Sequence, residues 1–157
     1  MNNIKYILFI FSFIFLLGGC SDDDGEVVSN DDLTMASGIY SLVELNIDPA
    51  QDINEDGNTT SNVLSELQCA TGTLNLKADA TWSWSFLEVN VTSITGGLFR
   101  FTCAPETTAL AGSWMVQNGQ ITLFDGANSF TFTLNGDRIT NTINDDLPGF
   151  ISMVYER

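Results

Sequence analysis

The chain has 157 residues, a formal net charge of −15 and no histidine. The length suits a single domain. A surface this acidic repels nucleic acid and anionic lipid headgroups, and the missing imidazole removes Ser-His-Asp and Cys-His catalysis.

The N-terminus opens with Lys5 as its one positive side chain, followed by an apolar run from Tyr6 to Leu17 that includes Phe9, Phe11, Phe13 and Phe15. That run falls short of the roughly 20 apolar residues needed to span a bilayer. A charged start, a short apolar segment and small residues at its end are the features of an export signal. The segment closes on Leu17-Gly18-Gly19-Cys20, which resembles the bacterial lipobox. That resemblance implies a signal peptide over 1–19, cleavage before Cys20, and fatty acyl chains (palmitate) on Cys20 that anchor the protein. Several chains hold a protein at a membrane where one does so only marginally. The alternative is an ordinary secretory signal with an incidental cysteine.

Removing residues 1–19 leaves 138 residues and takes away only Lys5, so the mature charge is −16. Ser21-Asp22-Asp23-Asp24 resembles the surface-export tag of some Gram-negative lipoproteins, and serine at 21 argues against retention in the inner membrane. The expected location is the outer membrane, lipid-anchored, on the cell surface. Residues 20–36 are acidic and polar and read as a lipidated flexible tether, although the acids also serve simply to solvate it.

From 37 to 157 the pattern is strands and turns. Nine strands are expected, over 39–47, 72–77, 81–93, 98–103, 110–117, 121–124, 129–134, 138–143 and 150–155. Residues 48–62 read as a polar loop, 63–67 as one helical turn and 104–108 as a loop around Pro105. Gly96-Gly97, Asn118-Gly119, Asp125-Gly126 and Asn135-Gly136 are hairpin signals. Short connections imply an up-and-down meander, and closure removes its two edges. The expected fold is all-β, an antiparallel barrel of about eight strands whose interior either fills with side chains or holds one small ligand. A two-sheet sandwich is the alternative.

In this region the chain resembles the bacterial lipocalin-like lipoproteins, over Ser37 to Arg157. The features are Gly38-Ile39-Tyr40 and Gly112-Ser113-Trp114 in the places of two Gly-x-Trp motifs, a strand, Asp-containing turn and aromatic strand over Leu74–Phe86, and the ending Tyr155-Glu156-Arg157. Tyr40 departs from the pattern, although another aromatic ring can fill the same barrel floor. The resemblance implies a lipocalin-type barrel with a pocket for a small apolar molecule, and it carries no catalytic residues.

Three groups of residues bear on function. Cys69 and Cys103, outside the cytoplasm, are expected to pair as a disulfide; buried free thiols are the alternative. Trp82, Trp84, Phe86, Phe99, Phe101, Phe130 and Phe132 either line an apolar ligand site or interdigitate into a filled core. Asp52, Asn54, Asp56 and Asn58, with Gly57 for the turn, resemble the start of an EF-hand-type calcium loop. The twelfth position is Val63 where a bidentate Glu is needed, so Glu66 completes the set only if 63–67 folds back. The simpler reading is a solvated loop of Asp and Asn turns. By strict alternation Glu88 shares a face with Trp82, Trp84 and Phe86, where an acid would contact a ligand or pair with an arginine. The apolar face switches after Phe86, however, and a β-bulge there, the favoured reading, sends Glu88 to solvent.

No Gly-x-Ser-x-Gly elbow, phosphate loop or paired acids across a cleft occur, so no enzyme activity is expected. Two functions fit. One is a lipocalin-like binder of a small apolar ligand. The other is a non-enzymatic structural or interaction module of the cell envelope with a filled barrel, presenting an apolar patch.

Overall fold

The computed structural model describes residues 30–126, 128–143 and 149–157. The expected signal peptide over 1–19 and Cys20 lie outside the described residues, as do positions 21–29 of the expected tether. The first described element is a helix, α1 (Asn30–Ala36), followed by β1 (Gly38–Gln51), β2 (Thr60–Asn62), the single turn α2 (Val63–Glu66), β3 (Gly72–Leu76), β4 (Thr81–Ser93), β5 (Phe99–Gln117), β6 (Gln120–Asp125), β7 (Asn128–Asn135), β8 (Arg138–Thr142) and β9 (Phe150–Glu156). No helix among the described residues is long and apolar enough to cross a membrane.

The strands pair in the order β2-β1-β3-β4-β5-β6-β7-β8-β9, and β1 pairs again with β9 from Ser41↔Glu156 to Ile47↔Phe150. That second pairing closes an eight-stranded antiparallel barrel, with β2 as a short appendage on the far half of β1. Closure leaves the meander without two free edges. The turns carry the expected residues: Asn118 and Gly119 hold φ of 52° and 74° between the paired Gln117 and Gln120. The β7–β8 turn is shifted by one residue from expectation, since Asn135 pairs with Arg138 and the loop is Gly136-Asp137.

Three expectations need correction. Residues 30–36 are helix rather than tether, because Leu33 and Ala36 supply an apolar face that is buried against the barrel. Tyr40 Oη donates to the Ala36 carbonyl (2.8 Å), and Arg157 Nη1 donates to the Met35 and Ser37 carbonyls (2.8 Å each), which fastens the helix C-terminus. Residues 98–103 and 110–117 are not separate strands. β5 runs unbroken through Ala104–Thr108, with Pro105 inside a bulge, the position in a sheet where its missing N–H is tolerated. Nine strands remain only because β2 forms within the expected polar loop.

The bulge lies between Leu87↔Thr107 and Val89↔Cys103. It places Glu88 on β4 against Ala104, Pro105 and Glu106 on β5, and Glu88 is exposed. Below it the inward residues are Trp82, Trp84 and Phe86; above it they are Val89, Val91, Phe99 and Phe101. The core divides in the same way. A lower cluster joins Tyr40, Leu74, Leu76, Trp82, Trp84, Trp114, Ile121, Leu123, Phe132, Ile139 and Tyr155, while an upper one joins Leu45, Ile47, Val63, Ala70, Phe101 and Phe150.

Candidate functional site

The lower cluster is a packed plug. Trp82 Nε1 donates to the Ser113 carbonyl (2.9 Å) and Trp114 Nε1 to the Lys77 carbonyl (2.9 Å). Tyr40 is fully buried, with the Arg157 guanidinium 5.4 Å from its ring centre, so its ring forms part of the plug. The plug's upper surface is Trp84. Its Nε1 donates to Tyr155 Oη (2.8 Å), and its ring meets Phe130, Phe132 and Tyr155 edge-on at 5.6–6.1 Å between centres. Such edge-on pairs add to area burial. Burial pushes the Tyr155 phenol up to about 12, so it stays neutral. Every buried side-chain nitrogen and oxygen among the described residues has a partner.

Above Trp84 and between the two clusters is a partly open cavity of about 630 Å³. Its wall comes from Leu42 and Leu45 of β1, Phe86, Leu87 and Val89 of β4, Leu110 of β5, Phe130 of β7, and Phe150, Met153 and Tyr155 of β9. Ala70, Ile143 and Trp84 complete the apolar lining, and Thr71, Asn141 and Glu88 contribute polar groups. Pockets of 300–1,000 Å³ with mostly apolar walls and a few polar groups are those that take small molecules.

Of the seven aromatic residues picked out from the sequence, Trp84, Phe86 and Phe130 line this cavity. Trp82 and Phe132 lie in the plug, and Phe99 and Phe101 belong to the upper cluster. The rings therefore do not share one enclosure, because the bulge assigns them to two levels. Sequence reasoning missed Tyr155, Leu110, Leu42 and Met153. No local signal gathers them: only the closure of β1 on β9 brings Leu42 opposite Tyr155.

The rim is fastened at three points. Cys69 and Cys103 form a disulfide that ties the segment after α2 to the bulged wall. Gln51, a buried polar side chain, donates from Nε2 to the Phe99 carbonyl (2.8 Å) and accepts the Phe99 N–H at Oε1 (2.9 Å). The Thr108 hydroxyl donates to Glu88 Oε1. The exposed apolar residues are scattered, apart from Ile94 and Leu98 at the β4–β5 tip.

The acidic loop beside Gln51 is ordered by its own backbone. Asp52 accepts the Asp56 and Gly57 N–H groups (3.1 and 2.9 Å), and Glu66 Oε2 accepts those of Ile53 and Asn54 (3.3 and 3.2 Å). α2, whose first turn is capped by Asn62 Oδ1 on the Leu64 N–H (3.1 Å), swings Glu66 back over the loop. Carboxylate oxygens of Asp52, Asp56 and Glu66 come within 4.8 Å of one another. Asn54 and Asn58 do not join that trio as carboxylates do; their side-chain amides donate to Asp56 (3.3 and 3.0 Å). The backbone and side-chain N–H groups of Asn58 hold the Asp56 carboxyl below its ordinary range.

No family model matches the sequence, and no curated protein or solved structure matches it either. The geometry therefore defines a class, a closed eight-stranded antiparallel barrel compatible with a lipocalin-like fold.

Proposed function

We propose that this is a lipid-anchored, lipocalin-like binding protein of the bacterial outer membrane that takes a small apolar molecule into its barrel. The observation that supports the reading is the cavity of about 630 Å³, walled by apolar side chains above a sealed aromatic floor. The membrane half of the reading rests on the sequence Leu17-Gly18-Gly19-Cys20 and the acidic run after it. Cys20 precedes α1 by ten residues, and α1 covers the plugged end of the barrel. The described chain therefore begins, at Asn30, at the end opposite the cavity. Trp84 is the one tryptophan of three that lines the cavity, so a bound apolar molecule alters its emission. Titrating the mature chain with decanol is expected to give saturable quenching that is lost in Trp84→Phe. Linear, non-saturable quenching, or the same response in the variant, defeats the reading. Radiolabelled palmitate incorporation that persists in Cys20→Ala defeats the anchor.

A second reading concerns the loop. The convergence of Asp52, Asp56 and Glu66, with Glu66 delivered from α2, supports calcium binding there, since calcium takes six to eight oxygen ligands. Calorimetric titration of the mature chain with calcium is the test. Binding in the wild type that vanishes in Asp52→Asn supports it, and no heat of binding at millimolar calcium rejects it.

A further inference from the structure

Resting on the binding reading above, we propose that the cavity selects its ligand by head-group charge: it favours a single-chain alkylammonium over a neutral amphiphile and rejects the carboxylate of the same chain. Glu88 is the only charged residue among those that line the cavity. It sits at the bulge, exposed, on the wall that rises from the Trp84 floor. Glu88 is four residue steps along β4 from Trp84, a rise of about 13 Å, which matches an extended chain of about ten carbons. An alkyl tail resting on Trp84 thus brings its head to the level of Glu88.

The chain holds only five cations, and none is available to an anionic head there. Lys5 belongs to the export signal and is absent from the mature chain. Lys77 and Arg157 sit at the plugged end, where the Lys77 carbonyl takes the Trp114 N–H and Arg157 Nε binds Asp137 (2.9 Å). Arg138 pairs with Glu44 and Glu156, half exposed. Arg100 follows Phe99 and precedes the inward Phe101, so it points to the opposite face of β5. Tyr155 Oη accepts the Trp84 N–H, and its own O–H donor lies at the floor beside Trp84, a chain length below Glu88. An anionic head at that level would meet Glu88 and the −16 mature charge with no cationic partner among the lining residues, whereas an ammonium meets a carboxylate that has spent one acceptor site on Thr108 and keeps others.

The test titrates the mature chain with decyltrimethylammonium, decanol and decanoate, each below its micelle concentration, at neutral pH and low salt, reading Trp84 emission. The cation is expected to bind about fivefold tighter than decanol, the upper range for an exposed ion pair, and decanoate about fivefold weaker than decanol. In Glu88→Gln, checked for native circular dichroism, the preference of the cation over decanol falls toward unity. Raising the salt narrows the wild-type gap in the same direction. If neither decanol nor the cation saturates, the binding reading itself fails. If decanol saturates and decanoate equals it, charge selection fails while the binding reading stands. A cation preference that survives in Glu88→Gln overturns the assignment to Glu88.

Discussion

Gly112 is the position where one methyl group should do the most damage. Its φ lies outside the left-handed region, so its role is space rather than backbone freedom. A Cβ built there falls 1.8 Å from the Phe124 carbonyl oxygen and 3.1 Å from Trp82 Nε1. Ordinary contact begins near 3.4 Å, so β6 would retreat by about 1.6 Å. The same movement pulls the Phe124 carbonyl from the Trp82 N–H it accepts at 3.2 Å, and the new methyl, 3.1 Å from Nε1, presses the indole off the Ser113 carbonyl it binds at 2.9 Å. Overpacking costs about 1–3 kcal/mol, and an unpartnered buried N–H another ~1–3 kcal/mol. Gly112→Ala is therefore expected to lose on the order of 4 kcal/mol, a large part of the ~5–15 kcal/mol that holds a domain folded. Urea unfolding followed by tryptophan emission measures it, and Tm should fall by about 10–20 °C. Gly136→Ala is the control: nothing lies within 4 Å of its Cβ, and only its φ of 61° resists alanine, at about 1–2 kcal/mol. A Gly112→Ala loss no greater than the control's would refute the close-approach argument.

Three further outcomes follow from the same contacts. Replacing Cys69 and Cys103 together by serine releases a loop with a sequence separation of 34 and should lower stability by up to about 4 kcal/mol in the chain-entropy model; an unchanged urea midpoint contradicts this. The mature chain has two tyrosines, Tyr40 and Tyr155, and burial raises both phenols. The folded state therefore holds these protons more tightly than the unfolded state. Stability is fully present below pH 10 and is lost as pH rises toward about 12. Ultraviolet titration should show little tyrosinate until the barrel opens, and a full step at pH 10 in folded protein would contradict it. Arg157→Ala removes the bonds to the Met35 and Ser37 carbonyls and the ion pair with Asp137. A loss of about 1–2 kcal/mol is expected, discounted for solvent screening, with faster hydrogen exchange in α1 as the direct readout.

The barrel was legible in the sequence because its signals are local. Period-2 alternation in Thr81–Phe86 and in Phe130–Leu134, and two-residue turns such as Asn118-Gly119, fix strands and hairpins without reference to distant residues. The switch of apolar face after Phe86 likewise announced the bulge and the exposure of Glu88. Where pairing partners lie far apart in the chain, the sequence was mute. Nothing local says that Leu42 meets Tyr155, or that Gln51 completes the backbone pairing of Phe99. α1 was obscured by composition, since Asn30–Ala36 carries two acids and only two buried side chains. Pro105 read as a loop because proline breaks a ladder. Inside a bulge no ladder bond is required of it, and β5 continues.

The cavity owes its existence to that bulge more than to small side chains. Between Leu87 and Val89 β4 contributes one residue while β5 contributes Ala104, Pro105 and Glu106. The inward stripe therefore changes parity at this height, and the rings on either side belong to different clusters. Trp84 and Phe130, 5.6 Å apart, pack with the plug, while Phe101 and Phe150, 5.5 Å apart, pack in the upper cluster with Val63 and Ile47. Interiors otherwise close-pack, and a regular ladder from Thr81 to Ser93 would have stacked the aromatic residues into one filled column. The space is walled mostly by apolar atoms, and Glu88, set at the same irregularity and bonded by Thr108, lines its edge. One backbone feature thus sets both the volume of the site and its charge.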